Sequence, residues 1–141
     1  MSDSTTNDAA GNPLLGYWKV IACQLNSEWL HPSIFENFRY DLNPGTFFIH
    51  RAECSWYPSW VGSFPKHHEG SMSVDFEKKT IDLSPSGGPN EGKVYQGIFE
   101  LDHDILKANF GLPGEPRPTS FKAQQGQVYE VWQRVDHPKS Y

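Results

Sequence analysis

The chain has 141 residues, which is enough for one domain of ordinary size and hardly enough for two. It is 37% hydrophobic and 14% aromatic, so it can bury a core and does not have the composition of a disordered chain. Its net charge of −5 argues against a general nucleic-acid binder or a binder of anionic membranes, since both need a basic surface to meet phosphates.

The N-terminal residues and the cysteines bear on location. Residues 1–12 are polar and acidic and lack the positive and apolar regions of a secretory signal. No apolar run approaches the ~20 residues of a membrane helix, and Cys23 and Cys54 fit reduced thiols without CxxC spacing. We expect a cytoplasmic protein with no membrane partner. Because the sequence has neither a P-loop nor a dinucleotide fingerprint, we expect no cofactor.

After this polar segment, Gly, Pro, Asn or Asp divides the sequence every eight to twelve residues into runs rich in β-branched and aromatic residues. Evenly spaced short strands with turn signals are typical of a sandwich or a barrel. One short helical turn is predicted at residues 32–37, with Pro32 at its start. Eight strands are predicted, at residues 17–25, 37–42, 46–55, 67–76, 80–84, 94–101, 105–111 and 127–135.

The links between these strands are short. Residues 43–45, 77–79 and 102–104 each favour a tight turn, so consecutive strands are expected to pair as an antiparallel meander. Alternating apolar and polar residues predict one buried and one wet face on each strand, and closure removes the unpaired edges. The sequence therefore predicts an all-β protein. It is a single eight-stranded antiparallel up-and-down barrel at residues 14–136, with flexible tails at 1–13 and 137–141.

The ends of this predicted meander carry a family signature. Its first strand opens with Gly16-Tyr17-Trp18, and Arg134 lies near the end of the last strand. This combination resembles the lipocalin and calycin signature. In that family the Trp packs at the closed end of the barrel and the Arg lies across it in a cation–π contact. The resemblance implies a lipocalin-like barrel in which Trp18 and Arg134 are in contact.

Further segments resemble a bacterial lipocalin-like family of unassigned function, the planctomycete-type domain. They are Leu-Leu-Gly-Tyr-Trp-Lys-Val at 14–20, Ile-Asp-Leu at 81–83, Gly-Ile-Phe-Glu-Leu at 97–101 and Gly-Glu-Pro-Arg-Pro-Thr-Ser-Phe at 114–121. The chain departs from the family pattern in having Phe99 for the usual Tyr and His103 for the usual Gly, and in inserting an aromatic stretch after the third strand. This resemblance implies a fold but no reaction, because fold does not determine function.

The predicted interior has the composition of a small-molecule pocket. An eight-stranded barrel either fills itself or holds one small ligand. Its predicted inward residues are mostly aromatic with a few polar groups, which is typical of a ligand site. The alternative is that the rings fill the barrel, which then acts as an interaction module. The ligand-binding residues predicted here are Phe38, Phe48, Cys54, Met72, Tyr95, Phe99 and Phe110.

The segment at residues 55–66 is long, aromatic and without periodicity. Loops of this length in compact barrels are usually lids or binding loops. We expect its aromatic residues, Trp56, Tyr57, Trp60 and Phe64, to close the mouth of the barrel and contact the ligand. The alternatives are a plug on a filled core and a dimer contact, which would make the protein a homodimer.

Four residues are candidates for acid–base catalysis. His50 and His68 can act as acid or base near neutral pH, and Tyr40 shares the predicted interior. Glu130 joins them if the last strand turns its even positions inward, and alternation leaves that parity open.

Two further groups have a structural alternative. His50, His68 and Cys54 are metal-ligand types, but zinc needs three or four ligands that converge, and no metal is predicted. Arg117, in a Pro-rich loop, is a candidate for binding a carboxylate or phosphate with two guanidinium nitrogens. The alternative for Arg117 is that it holds its loop against the barrel through backbone carbonyls.

The sequence thus predicts a barrel that binds a small apolar or aromatic molecule and is closed by an aromatic loop. The alternative function is a cofactor-independent isomerase, cyclase or dehydratase that acts on such a molecule in secondary metabolism. In that alternative, interior His, Tyr and Glu side chains serve as acid–base groups.

Overall fold

The computed structural model describes residues 13–35, 38–50, 67–86 and 91–136. The tails predicted at 1–13 and 137–141 fall almost wholly outside these ranges and stay a prediction. The elements are β1 (Gly16–Leu25), β2 (Glu28–Trp29), α1 (Pro32–Phe35), β3 (Arg39–Asn43), β4 (Thr46–His50), β5 (His67–Asp75), β6 (Thr80–Pro85), β7 (Tyr95–Asp102), β8 (Ile105–Gly111) and β9 (Gln127–Val135).

Eight of these strands form a closed antiparallel barrel. Neighbours pair in the order β1, β3, β4, β5, β6, β7, β8, β9, and β9 returns to pair with β1 from Tyr17↔Val135 to Leu25↔Val128. The two-residue β2 pairs with the end of β1. The predicted all-β, eight-stranded up-and-down barrel with one short helix is therefore confirmed.

Local sequence determines the tight links that make this a meander. Between β3 and β4, Gly45 takes a φ of 73°. Between β5 and β6, the Asp75 Oδ1 accepts hydrogen bonds from the backbone N–H groups of Glu77 and Lys78, at 3.0 and 3.1 Å. Between β7 and β8, His103 takes a φ of 56°. Since these three links are only a few residues long, the two strands that each one joins pair with one another.

The β1–β2 hairpin is absent from the predicted elements. Asn26 and Ser27 form its two-residue loop and both take positive φ values, 50° and 75°, as a type I′ turn requires. Asn is common at such positions, but Ser is not, so the sequence signal is weak. The Ser27 Oγ donates to the Ala123 carbonyl at 2.9 Å, which ties the hairpin to the segment before β9.

A β-bulge at Ile21 changes which residues of β1 face the core. The pairing with β9 shifts between Val20 and Ala22, so Ile21 is the extra residue. Before the bulge, the even positions Trp18 and Val20 belong to the core, whereas after it the odd position Cys23 does. The bulge therefore brings the Cys23 side chain into the interior, which uniform alternation would have placed outside.

The predicted inward face of β4 is wrong. Phe47 and Ile49 are buried in the core, whereas Phe48, predicted to line the interior, is only half-buried and is not part of the core cluster. All three residues are apolar, so alternation alone does not select a face. The register with β3 selects it, because Phe47 pairs with Leu42 and Ile49 pairs with Tyr40, both of which are buried.

Trp18 and Arg134 lie together where β1 begins. The guanidinium carbon of Arg134 is 4.3 Å from the centroid of the buried Trp18 ring, which confirms the contact implied by the lipocalin resemblance. The Trp18 Nε1 donates to the Leu14 carbonyl at 3.0 Å. Arg134 also donates to the carbonyls of Leu15 and Pro13, both at 2.6 Å. The Arg134 side chain thus covers the Trp18 indole and holds the residues that lead into β1.

Gly16 lies directly beneath this guanidinium. Its φ is +140°, and a Cβ at this position would lie 2.6 Å from the Arg134 Nη1. The Gly of the Gly-x-Trp pattern is therefore required both by its backbone conformation and by the space that Arg134 occupies.

We expect Gly16→Ala to lower the free energy of unfolding by roughly 2–4 kcal/mol, because it combines backbone strain with displacement of Arg134. Urea denaturation followed by tryptophan fluorescence measures this loss. The matched control is Gly45→Ala, which has a φ of +73° but no neighbouring atom within 4 Å, and should cost only about 1 kcal/mol. Equal losses in the two variants would contradict the role given to Arg134.

Candidate functional site

The barrel interior contains one continuous cluster of buried and mostly apolar side chains. Many of them are aromatic, which is the usual lining of a small-molecule site. Five of the predicted ligand-binding residues belong to this cluster, and each is at most 6% exposed: Phe38, Met72, Tyr95, Phe99 and Phe110.

A carboxyl group lies among these apolar side chains. Glu130, on β9, is 6% exposed. Its Oε1 accepts a hydrogen bond from the Tyr40 hydroxyl at 2.6 Å and a second from the Trp132 Nε1 at 2.8 Å. Hydrogen bonds to a charged group contribute about 1.5–3 kcal/mol each, and a buried carboxylate without them would be strongly destabilising. Donors from β3 and β9 therefore orient the Glu130 carboxyl group.

The orientation of β9, which alternation left open, is decided by these contacts. Glu130 and Trp132 are buried and Arg134 reaches Trp18, whereas Gln133 is exposed. The even positions of β9 therefore face the interior. This orientation places two of the predicted acid–base residues, Tyr40 and Glu130, in direct contact.

The register of the barrel puts small residues beside Glu130. Its partners on the two neighbouring strands are Cys23 on β1 and Ala108 on β8. Trp132, two residues further along β9, lies instead between a valine and a leucine. The side chains paired with Glu130 are therefore smaller than those paired with Trp132.

Trp132 joins the carboxyl group to the aromatic part of the interior. The Tyr40 ring meets it edge-on, with the centroids 4.2 Å apart and an interplanar angle of 85°. The Phe110 ring is stacked at 6.5 Å and 22°, and Trp18 is tilted at 6.3 Å and 56°. Trp132 is absent from the predicted site residues. Its position two residues from Glu130 was the available signal, since such residues share a face of a strand.

Arg117 fastens its loop to the outside of two strands. Its Nη1 donates to the Gly97 carbonyl on β7 at 2.8 Å and lies 2.8 Å from the Asp82 Oδ1 on β6. This geometry is the loop-holding role given above as the alternative for Arg117. Its role in binding a ligand stays a prediction.

The outer face of β9 carries an aromatic pair. Tyr129 is buried beneath Trp29, with the ring centroids 6.1 Å apart in an edge-on arrangement, while Trp29 itself is 62% exposed. Burial and, to a lesser extent, the nearby Glu100 carboxylate raise the pKa of Tyr129 above its usual value of 10.0. Tyr129 therefore contributes a neutral ring to this outer surface at physiological pH.

Some predicted site residues fall outside the described residues, so their roles stay predictions. The backbones of His50 and His68 are described, and they lie on the neighbouring strands β4 and β5, where Ile49 pairs with His68. The predicted site residues that lie outside the described residues are Cys54, Trp56, Tyr57, Trp60 and Phe64, together with the side chains of His50 and His68.

No protein-family model, no curated protein and no solved structure matches this chain. The likeness to lipocalins therefore rests on the barrel topology and on the contact between Trp18 and Arg134. Within the ranges that the structure describes, no group of His, Cys, Asp and Glu side chains is arranged to hold a metal ion. In the same ranges, no helix is long and apolar enough to cross a membrane.

We expect Tyr40→Phe to lower the free energy of unfolding by about 1.5–3 kcal/mol, because the buried Glu130 carboxylate loses a donor. In a Glu130→Gln background the same change should cost only about 0.5–1.5 kcal/mol, since the acceptor is then neutral. Urea denaturation of the four proteins gives the coupling energy.

The control for this cycle is Glu100→Gln, which neutralises an exposed carboxylate on β7. Its effect should add to that of Tyr40→Phe within about 0.5 kcal/mol. A cycle with Glu130 that is equally additive would show that the contact between Tyr40 and Glu130 does not contribute to stability.

Proposed function

We propose that the protein binds a small apolar or aromatic molecule inside the barrel, with the aromatic loop at residues 55–66 closing its mouth. The observation that carries this proposal is the oriented carboxyl group of Glu130 among the apolar and aromatic side chains that the structure describes in the interior. In a core that serves packing alone, a buried charge costs more in desolvation than its partners return. An apolar lining with a few oriented polar groups is the composition of a ligand site.

We further propose that the chain is a lipocalin-like protein related to the bacterial planctomycete-type family. The eight-stranded meander, the Gly-x-Trp that opens β1 and the Arg134 guanidinium over the Trp18 ring support this proposal. Proteins with such barrels commonly hold one small ligand in the interior, which agrees with the binding function proposed here.

The binding function is tested by native mass spectrometry of protein produced in its own host. We expect the wild-type protein to carry a bound small molecule. Ala108→Leu should lower its occupancy at least about tenfold, because it enlarges a buried side chain beside Glu130 and overpacking a buried site costs about 1–3 kcal/mol.

The matched control is Lys107→Leu, which introduces the same side chain at the neighbouring exposed position of β8 and should keep the bound molecule. Far-UV circular dichroism checks that each variant is folded, and the smaller change Ala108→Val replaces Ala108→Leu if the latter is not. Wild-type protein without a bound molecule, or equal occupancy in the Ala108 and Lys107 variants, would refute binding inside the barrel.

The contact between Tyr40 and Glu130 favours a second function, a cofactor-independent isomerase, cyclase or dehydratase. The Glu130 Oε1 accepts two hydrogen bonds, which engage both of its lone pairs. In this proposal, proton transfer therefore takes place at Oε2. Such a group can give a proton to one atom of a substrate and take a proton from another, which is the chemistry that these reactions need. His50 and His68 remain further acid–base candidates in this proposal.

The enzymatic function is tested by following conversion of the bound molecule by liquid chromatography and mass spectrometry. Glu130→Gln should lower the rate at saturating ligand about 10²–10⁴-fold, because the amide keeps an acceptor for Tyr40 but cannot transfer a proton from the second position. His50→Phe and His68→Phe should each lower the rate similarly if they act as acid or base. A wild-type protein that converts nothing would refute catalysis and leave binding as the function.

A further inference from the structure

We propose that the molecule bound in the barrel is an aromatic ring that carries a hydroxyl or N–H donor, and that the Glu130 Oε2 accepts this hydrogen bond. This inference rests on the proposed binding function and specifies the class of its ligand. It follows from three features of the described interior: the bonds that Glu130 accepts, the small residues beside it, and the rings around it.

The hydrogen bonds of Glu130 determine which atom can recognise a ligand. Tyr40 and Trp132 both donate to Oε1, so its two lone pairs are engaged. A further donor must therefore form its hydrogen bond with Oε2. This oxygen has two lone pairs of its own, so it can accept a donor from a ligand even beside another partner of the carboxyl group.

The neighbours of Glu130 decide where such a ligand fits. Cys23 and Ala108 are the partners of Glu130 on the adjacent strands, and Phe99 is the partner of Ala108 on β7. Along this row of paired residues, the side chains next to Glu130 are thus small, and an aromatic side chain follows two strand spacings away, at about 10 Å. A molecule that fits along this row has its polar atom near Glu130 and an apolar body toward Phe99.

The rings around the carboxyl group favour a flat aromatic body. Trp132 packs edge-on with Tyr40 and is stacked with Phe110, so the two donors to Glu130 belong to one cluster of aromatic rings. Aromatic pairs contribute about 0.5–1.5 kcal/mol beyond the area they bury. A carboxylate among these rings attracts a donor and repels an anion, which excludes aromatic carboxylates from the class.

Isothermal titration calorimetry with three probes tests this inference: 2-naphthol, 2-methylnaphthalene and 2-naphthoate. The first two have nearly the same shape and differ in the O–H group, which a methyl group replaces. We expect wild-type protein to bind 2-naphthol at least about tenfold more tightly than 2-methylnaphthalene, because a hydrogen bond to a charged acceptor has that strength. We expect it to bind 2-naphthoate more weakly than either.

Glu130→Gln keeps an acceptor for Tyr40 and Trp132 but places an NH₂ group, which donates, where Oε2 was. The preference for 2-naphthol over 2-methylnaphthalene should then fall to within about threefold, while 2-methylnaphthalene keeps its wild-type affinity. The comparison of the two neutral probes on wild-type protein does not depend on this variant, so it decides the inference even if Glu130→Gln does not fold.

The outcomes separate this inference from the function on which it rests. If wild-type protein binds both neutral probes equally and Ala108→Leu weakens both, the barrel binds ligands but recognition by Glu130 is overturned. If no probe binds, or if Ala108→Leu leaves every affinity unchanged, binding inside the barrel is itself refuted.

Discussion

The pairing of β9 with β1 is the constraint on which the rest of the structure depends. It joins the first and last strands of the meander and turns a sheet with two open edges into a barrel. The same pairing brings Arg134 onto Trp18 at one end and Glu130 to the level of Cys23 in the middle. Closure of the barrel and the placement of Arg134 and Glu130 are therefore produced by one ladder of hydrogen bonds.

Burial of the Glu130 carboxyl group has a cost in stability. Removing it from water costs several kcal/mol, and the donors Tyr40 and Trp132 offset part of that cost. Both donors are themselves held by packing, since Trp132 contacts Phe110 and Trp18 as well as the Tyr40 ring. The carboxyl group is thus fixed by a rigid aromatic surround, and a fixed polar group in an apolar site is what selective binding or proton transfer requires.

Side-chain hydrogen bonds on the outer surface hold the strands and loops of the barrel together. Arg117 bridges β6 and β7, and the buried Asn109 side chain donates to the Ser120 carbonyl at 2.7 Å and to the Gln127 Oε1 at 3.2 Å. These bonds fasten residues 112–126 against the strands. The family-like Gly-x-x-Arg-Pro-Thr segment therefore has a structural explanation in this chain, and the ligand argument does not depend on it.

The amino-acid sequence by itself determined the class of fold, the number of barrel strands, the meander order and the turns, since these depend on residues only a few positions apart. Only the tertiary structure decided the inward faces of β1, β4 and β9. On β4 three consecutive apolar residues hide the face, on β1 the bulge at Ile21 reverses it, and on β9 both faces are plausible. The contact between Tyr40 and Glu130 joins residues 90 positions apart. It follows from the register around the whole barrel, which a short-range pattern does not contain.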